Sequence, residues 1–145
     1  MSNKIVPTIS SGTPGPLGVL HLPRFWQKLS LGAAGKLAED YPACGQGYDQ
    51  MVLDGLGLDK QALLDFVAEK KPTYIQFEKF VSENATKLNQ TAVSQLNAAI
   101  TGYQHTDETR QSILSSVGLP DGNPTDAVNL NNLDDWQGFH AAEIA

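Results

Sequence analysis

The sequence predicts an all-α fold: an irregular bundle of about seven helices behind an irregular Gly/Pro-rich N-terminal arm. Three observations predict it. Apolar residues recur at three- and four-residue spacings from about residue 22 onward. Residues that start and stop helices punctuate those stretches, and no pair of alternating strands is evident. Helices that each carry one apolar stripe must bury it against one another, which makes a bundle with short connections. The chain has 145 residues, one domain's worth; 41% are hydrophobic and 18% charged, ordinary values for a globular protein. We expect residues 1–19 to form the arm and residues 20–145 a single helical domain.

The arm is read from Ser10-Ser11-Gly12-Thr13-Pro14-Gly15-Pro16-Leu17-Gly18, which has no period and little to bury. Ile5-Val6 and Ile9 have the makings of a short edge strand, but Pro7 interrupts them. The first helix is expected from Pro23, where a missing N–H costs nothing. Leu22, Trp26, Leu29 and Ala33 share one face of it, Arg24 and Lys28 another, and Gly32 and Gly35 end it. The second runs from about Tyr48 to Leu56, with Asp49 at the positive end of the helix dipole. Gly57 supplies a left-handed terminator, and Leu58 folds back on Leu53. Asp59 caps a third helix that turns Leu63, Phe66 and Val67 inward. Thr73 and Gln76 have the spacing of a capping box and open a fourth, with Tyr74, Phe77 and Val81 on its buried face.

Asn89 or Thr91 opens the fifth helix, with Val93, Leu96, Ile100 and Tyr103 in register. Thr106 opens the sixth, with Ile113, Leu114 and Val117 inside and Gly118-Leu119 at its end. A polar loop follows from Pro120 to Asn129, turning at Asp121-Gly122. The last helix is expected from about Asn132, burying Leu133, Trp136 and Phe139. Val52-Leu53-x-x-Leu56-Gly57-Leu58 resembles Ile113-Leu114-x-x-Val117-Gly118-Leu119. Asp65-x-Val67 and Tyr74-x-x-Phe77 find counterparts in Asp126-x-Val128 and Trp136-x-x-Phe139. That pattern raises an internal duplication, against the simpler view that helix ends reuse Gly-Leu for local reasons.

Charge narrows the function. Ten basic and 16 acidic residues give a net charge of −6, which argues against generic binding to nucleic acid or to an anionic membrane surface. No apolar run reaches the roughly 20 residues of a membrane span. Met1 to Gly12 lacks the apolar stretch of a signal peptide. The single cysteine, Cys44, can form no internal disulfide, and a reducing cytoplasm is the expected setting. The charge is also uneven: Lys4, Arg24, Lys28 and Lys36 are the only charged residues before Glu39, and after Lys87 only Arg110 is basic. Either the basic N-terminal part packs on the acidic remainder, or Arg24, Lys28 and Lys36 build an anion site.

The most distinctive stretch is Glu39-Asp40-Tyr41-Pro42-Ala43-Cys44-Gly45-Gln46-Gly47-Tyr48-Asp49. Two glycines, Gly45 and Gly47, precede a helix, and backbone N–H groups there can face an anion. Arg24, Lys28, Lys36, Gly45, Gly47 and Tyr48 are therefore the candidate ligand-binding residues. Cys44 beside that helix end is a candidate reactive thiol, with its pKa lowered by the dipole. The structural alternative is a tight turn with an ordinary free cysteine. Gly32-Ala33-Ala34-Gly35-Lys36-Leu37 fails as a phosphate loop: its glycines are too close, Leu37 stands where Ser or Thr would hold magnesium, and no strand precedes it. His21, His105 and His140 show no metal-ligand spacing. His140 with Glu143, Asp134 and Asp135 reads as solvated acid rather than a metal site, so no metal and no cofactor are expected. A pairing of Cys44 with His21 or His105 is invisible to sequence.

His21-Leu22-Pro23-Arg24, Ala33-Ala34-Gly35-Lys36-Leu37, Glu39-Asp40-Tyr41, Gly45-x-Gly47-Tyr48-Asp49 and Leu56-Gly57 occur in that order. With the terminal Asn131-Asn132-Leu133-Asp134-Asp135-Trp136-Gln137-Gly138-Phe139, the chain resembles the bacterial domain of unknown function 5069 from about Gly18 to its end. The resemblance implies a small bacterial, cytoplasmic protein with no assigned activity, hence no functional residues to carry over. It makes Leu22 to Leu58 the first place to look. The expected function is a non-enzymatic module that binds a protein or a small anionic ligand. The alternatives are a small enzyme or redox protein using Cys44, with Asp40, Tyr41 or a histidine assisting, and a structural homo-oligomer.

Overall fold

The computed structural model describes residues 4–145 and is all-α. Its seven helices are α1 (Leu22–Ala33), α2 (Tyr48–Leu56), α3 (Lys60–Lys70), α4 (Tyr74–Asn84), α5 (Gln90–Gly102), α6 (Asp107–Ser116) and α7 (Ala127–Glu143). Among the described residues only isolated bridges, and no named strands, occur. No described helix is long and apolar enough to cross a membrane. Helix α1 packs on α3 and α4, α2 on α5, and α7 on α5 and α6. Phe25, Val52, Leu56, Leu63, Phe77, Val81 and Ile100 form the centre of one continuous core.

Most helix starts follow the predicted chemistry. The side chains of Asp59, Thr73, Asn89 and Thr106 each accept a backbone N–H of the first turn, and Thr73 with Gln76 completes a capping box. Gly57 ends α2 in the left-handed region, at φ 66°, and the Leu58 N–H returns to the Leu53 carbonyl. A side chain at Gly57 would also run into Thr86, so both conformation and space require glycine there.

Three expectations are corrected. The last helix begins at Ala127, five residues before Asn132, because Asp126 caps it by accepting from the Asn129 N–H. Its buried residues are Ala127, Leu130 and Asp135, whereas Trp136 is 63% exposed and Phe139 47%. The inward face is fixed by Asp135, and Trp136, one residue on, points away from it. In α1, Phe25 rather than Ala33 joins Leu22 and Leu29 in the core. Trp26 is only half-buried, with its indole N–H donated to the Pro72 carbonyl. The expected edge strand shrinks to one parallel bridge between Ile5 and Leu37, because the N–H groups of Thr8 and Ile9 beyond Pro7 are taken by the Gln27 side chain.

Residues 4–20 carry no helix, yet they pack into the body of the molecule. Pro7, Ser11 and Val19 are buried. The Asn97 amide grips the Gly18 carbonyl and the Leu20 N–H, and Glu78 accepts from the Leu17 N–H. The matched segments of the apparent doubling play different parts. Asp65 lies inside α3 while Asp126 caps α7, and Tyr74 begins α4 while Trp136 sits mid-helix in the open. What the two halves share is the Gly-Leu helix stop.

Candidate functional site

Burying a charge is costly unless it is paired, so a cluster of buried ionisable side chains marks a place worth explaining. Five such side chains, His21, Arg24, Lys28, Asp49 and Asp135, are buried together here. They border a cavity of about 300 Å3 that is also lined by Ser11, Asp40, Tyr41, Tyr48, His105, Asn131 and Asp134. A larger groove of about 850 Å3 lies between α2 and α5, but its wall holds none of these buried charges.

The site is assembled from six parts of the chain, one of them the α5–α6 connection that carries His105. Helix α1 turns Leu22, Phe25 and Leu29 into the core, which leaves Arg24 and Lys28, one turn apart, facing the cavity. The first turn of α2 delivers Tyr48 and Asp49, the loop before it Asp40 and Tyr41, α7 Asn131, Asp134 and Asp135, and the N-terminal segment Ser11. Two ion-pair groups result. Lys28 Nζ donates to Asp49 Oδ2 at 2.6 Å, and the Gly45 N–H donates to the same oxygen at 2.8 Å. Asp49 Oδ1 lies 2.6 Å from His21 Nε2, and His21 Nδ1 lies 2.9 Å from Ser11 Oγ. In the second group Arg24 donates through both terminal nitrogens to Asp135, at 2.6 and 3.2 Å, and to the Ile9 carbonyl. The Tyr41 hydroxyl donates to Asp135 as well, at 2.9 Å.

Electrostatics fix the protonation pattern. Burial alone would push the Asp49 carboxyl up, but His21, Lys28 and the Gly45 N–H together hold it below the usual carboxylate range. For His21 burial is the largest influence and drives its pKa down. Asp49 opposes this, and the charges of Lys28 and Arg24 add to the lowering. An ionised Asp49 can only accept, so His21 Nε2 carries the proton. The neutral ring then leaves Nδ1 as an acceptor, and the Ser11 hydroxyl must donate to it. The backbone of His21 is unusual too: φ is 70°, the left-handed region, immediately before α1. For a residue with a Cβ that costs roughly 1–2 kcal/mol, and such strain gathers at functional sites.

The predicted residues divide. Arg24, Lys28, Gly47 and Tyr48 do line one cavity. Gly45 contributes only its N–H, already committed to Asp49, so the anion held by this Gly-x-Gly loop is the protein's own carboxylate. Lys36 does not belong: it is exposed, beyond the end of α1 and outside the cavity wall. Cys44 runs opposite to expectation. Burial raises its pKa, and the Asp49 charge adds to the rise; Lys60 and Lys28 only partly offset them. The thiol packs against the hydrophobic core and is not part of the cavity wall. Sequence reasoning missed Ser11 and Asn131, took Asp135 for a solvated acid although it is buried against Arg24, and read Asp49 only as a helix-dipole residue. The uneven charge along the chain was the available signal, since both buried ion pairs join an N-terminal cation to a later acid. Among the described residues, no group of three or more His, Cys, Asp or Glu side chains is arranged to hold a metal ion.

The family model for "Domain of unknown function (DUF5069)" matches residues 15–134. The chain belongs to this family. The matched span includes α1, the Gly-x-Gly loop, the first turn of α2 and Asn131 and Asp134 of α7; Ser11 and Asp135 lie just outside it. A comparison with curated proteins returns no match.

Proposed function

We propose that this DUF5069 protein is a binding module whose cavity beside His21, Arg24 and Lys28 takes a small, hydrogen-bond-donating molecule bearing hydroxyl or ammonium groups. The observation that carries the reading is the gathering of the buried ion pairs around one cavity of about 300 Å3, a size suited to a small metabolite. Four carboxylates, Asp40, Asp49, Asp134 and Asp135, face two cations, and both cations already have carboxylate partners. Asp40 and Asp134 form no ion pair among the described residues. The Asp134 carboxyl is pushed up by desolvation and by the charge of Asp135, the response of an acid lacking a cationic neighbour close enough to offset them. An anionic ligand, the initial expectation, would have to displace Asp49 or Asp135 from its cation. A reducing, cytoplasmic setting completes the reading and is consistent with the lone thiol.

A thermal-shift panel tests this. Polyols, amino alcohols and small amines should raise the melting temperature of the wild type in a concentration-dependent way, and Asp134→Asn should remove the effect. Stabilisation by phosphate, sulfate or dicarboxylates alone would reverse the polarity assigned here. No stabilisation by any class would remove the binding reading.

A further inference from the structure

We propose that Ser11 is a nucleophile, activated by His21 and Asp49, that accepts an acyl group from a small ester bound in the cavity. The inference rests on the reading above in one respect only: the cavity must admit a small polar molecule. It is carried by the chain Ser11 Oγ–His21 Nδ1–His21 Nε2–Asp49 Oδ1, with contacts of 2.9 and 2.6 Å. Such a constellation is defined by geometry and roles rather than by order in the chain.

Each member is held for that role. Ser11 and His21 border the cavity, although 1% and 2% exposed, so access is from within it and only for a small substrate. Asp49 is fixed from its other oxygen by Lys28 and the Gly45 N–H, and it orients the imidazole so that Nδ1 faces Ser11. The left-handed backbone of His21 sets the ring in this position, between Phe25 at 6.2 Å and Tyr48 at 5.3 Å. A purely structural polar cluster needs neither a hydroxyl donating to an unprotonated imidazole nitrogen nor a strained residue to hold that nitrogen. Here the ring nitrogen facing the hydroxyl is one that can take a proton.

The step balances without redox chemistry. The Ser11 oxygen bonds to the ester carbonyl carbon as its proton passes to His21 Nδ1. The bond from that carbon to the leaving oxygen breaks, and the departing alcohol takes the proton from Nδ1. Water then repeats the sequence on the acyl-serine, releasing the carboxylic acid and restoring the Ser11 hydroxyl. Asp49 accompanies the transient imidazolium. The groups facing His21 are Ser11, Asp49, Lys28, Arg24 and Tyr48. Lys28 and Arg24 also line the cavity, each paired with its own carboxylate, and their charges favour the neutral, proton-accepting form of His21.

Diisopropyl fluorophosphate is the probe, read by intact mass and peptide mapping of the full chain. Its phosphorus forms a bond to the serine oxygen, and fluoride leaves. We expect one adduct, on Ser11, absent in Ser11→Ala and formed about 100-fold more slowly in His21→Ala. The wild-type rate should rise with pH through the titration of His21 and then level off, a profile that a merely structural histidine would not impose. Should Ser11→Ala fail to fold, Ser11→Cys in a Cys44→Ser background should be alkylated by iodoacetamide at neutral pH, and His21→Ala should suppress that reaction. An unlabelled Ser11, or a labelling rate indifferent to pH and to His21, overturns the inference. If polyols and amines still shift the melting temperature of that same sample, the binding reading survives its failure.

Discussion

His21 and Asp49 tie stability to acidity. Both have folded-state pKa values depressed below the ordinary 6.5 and 3.8. For a depressed group the unfolded chain binds the proton first, so stability falls as pH drops from the unfolded value toward the folded one. The melting temperature should therefore begin to decline near pH 6.5 because of His21 and decline again below about 3.8 because of Asp49. Asp134, whose pKa is raised, adds stability as pH falls from its folded value to 3.8, above the window of the second decline. Thermal melts at half-unit pH steps check this. His21→Gln should abolish the first decline, and a melting curve flat from pH 7 to 5 in the wild type would contradict the assignment. A second contrast concerns the arginines. Arg24→Ala strands the buried carboxylate of Asp135 and should cost about 3–5 kcal/mol in denaturant titrations. Arg110→Ala breaks contacts to the exposed Asp107 and Asp121 and should leave the midpoint nearly unchanged.

Among the elements, α7 is the sharpest case of local chemistry winning over pattern. Asp126 caps its first turn through the Asn129 N–H, so Asp126→Ala should cost about 1 kcal/mol while the helix still forms. Circular dichroism during urea unfolding reads both quantities. The cap lies inside what sequence alone reads as a polar loop, because Pro120 to Asn129 is rich in turn formers and Asp126 is one polar residue among many. Elsewhere the elements are legible: Thr73 with Gln76, Asp59, and Gly57 with Leu58 act where their spacing says they should. Local signals suffice there because a cap and its helix are neighbours in the chain. The candidate site is less legible for the opposite reason. Ser11 and His21 are 10 residues apart, His21 and Asp49 28, and Arg24 and Asp135 111. The uneven charge along the chain, the shared face of Arg24 and Lys28 and the oddity of the Gly45–Asp49 loop hint at that meeting.

Taken as a whole, the molecule resolves its lopsided charge internally. The N-terminal cations Arg24 and Lys28 are spent on Asp135 and Asp49, and the surplus of acid remains on the outside and at the rim of the cavity. One consequence lies in the two tryptophans, which report on different places. Trp26 is tucked against Tyr74 with its indole N–H tied to the carbonyl of Pro72, while Trp136 stands open to water on α7. Their emission should separate in colour, Trp26 toward the blue and Trp136 toward the red. Iodide should quench the red component first. Single-tryptophan variants would thus give this protein two built-in lamps, one dimming only when the core opens, the other tracking the last helix.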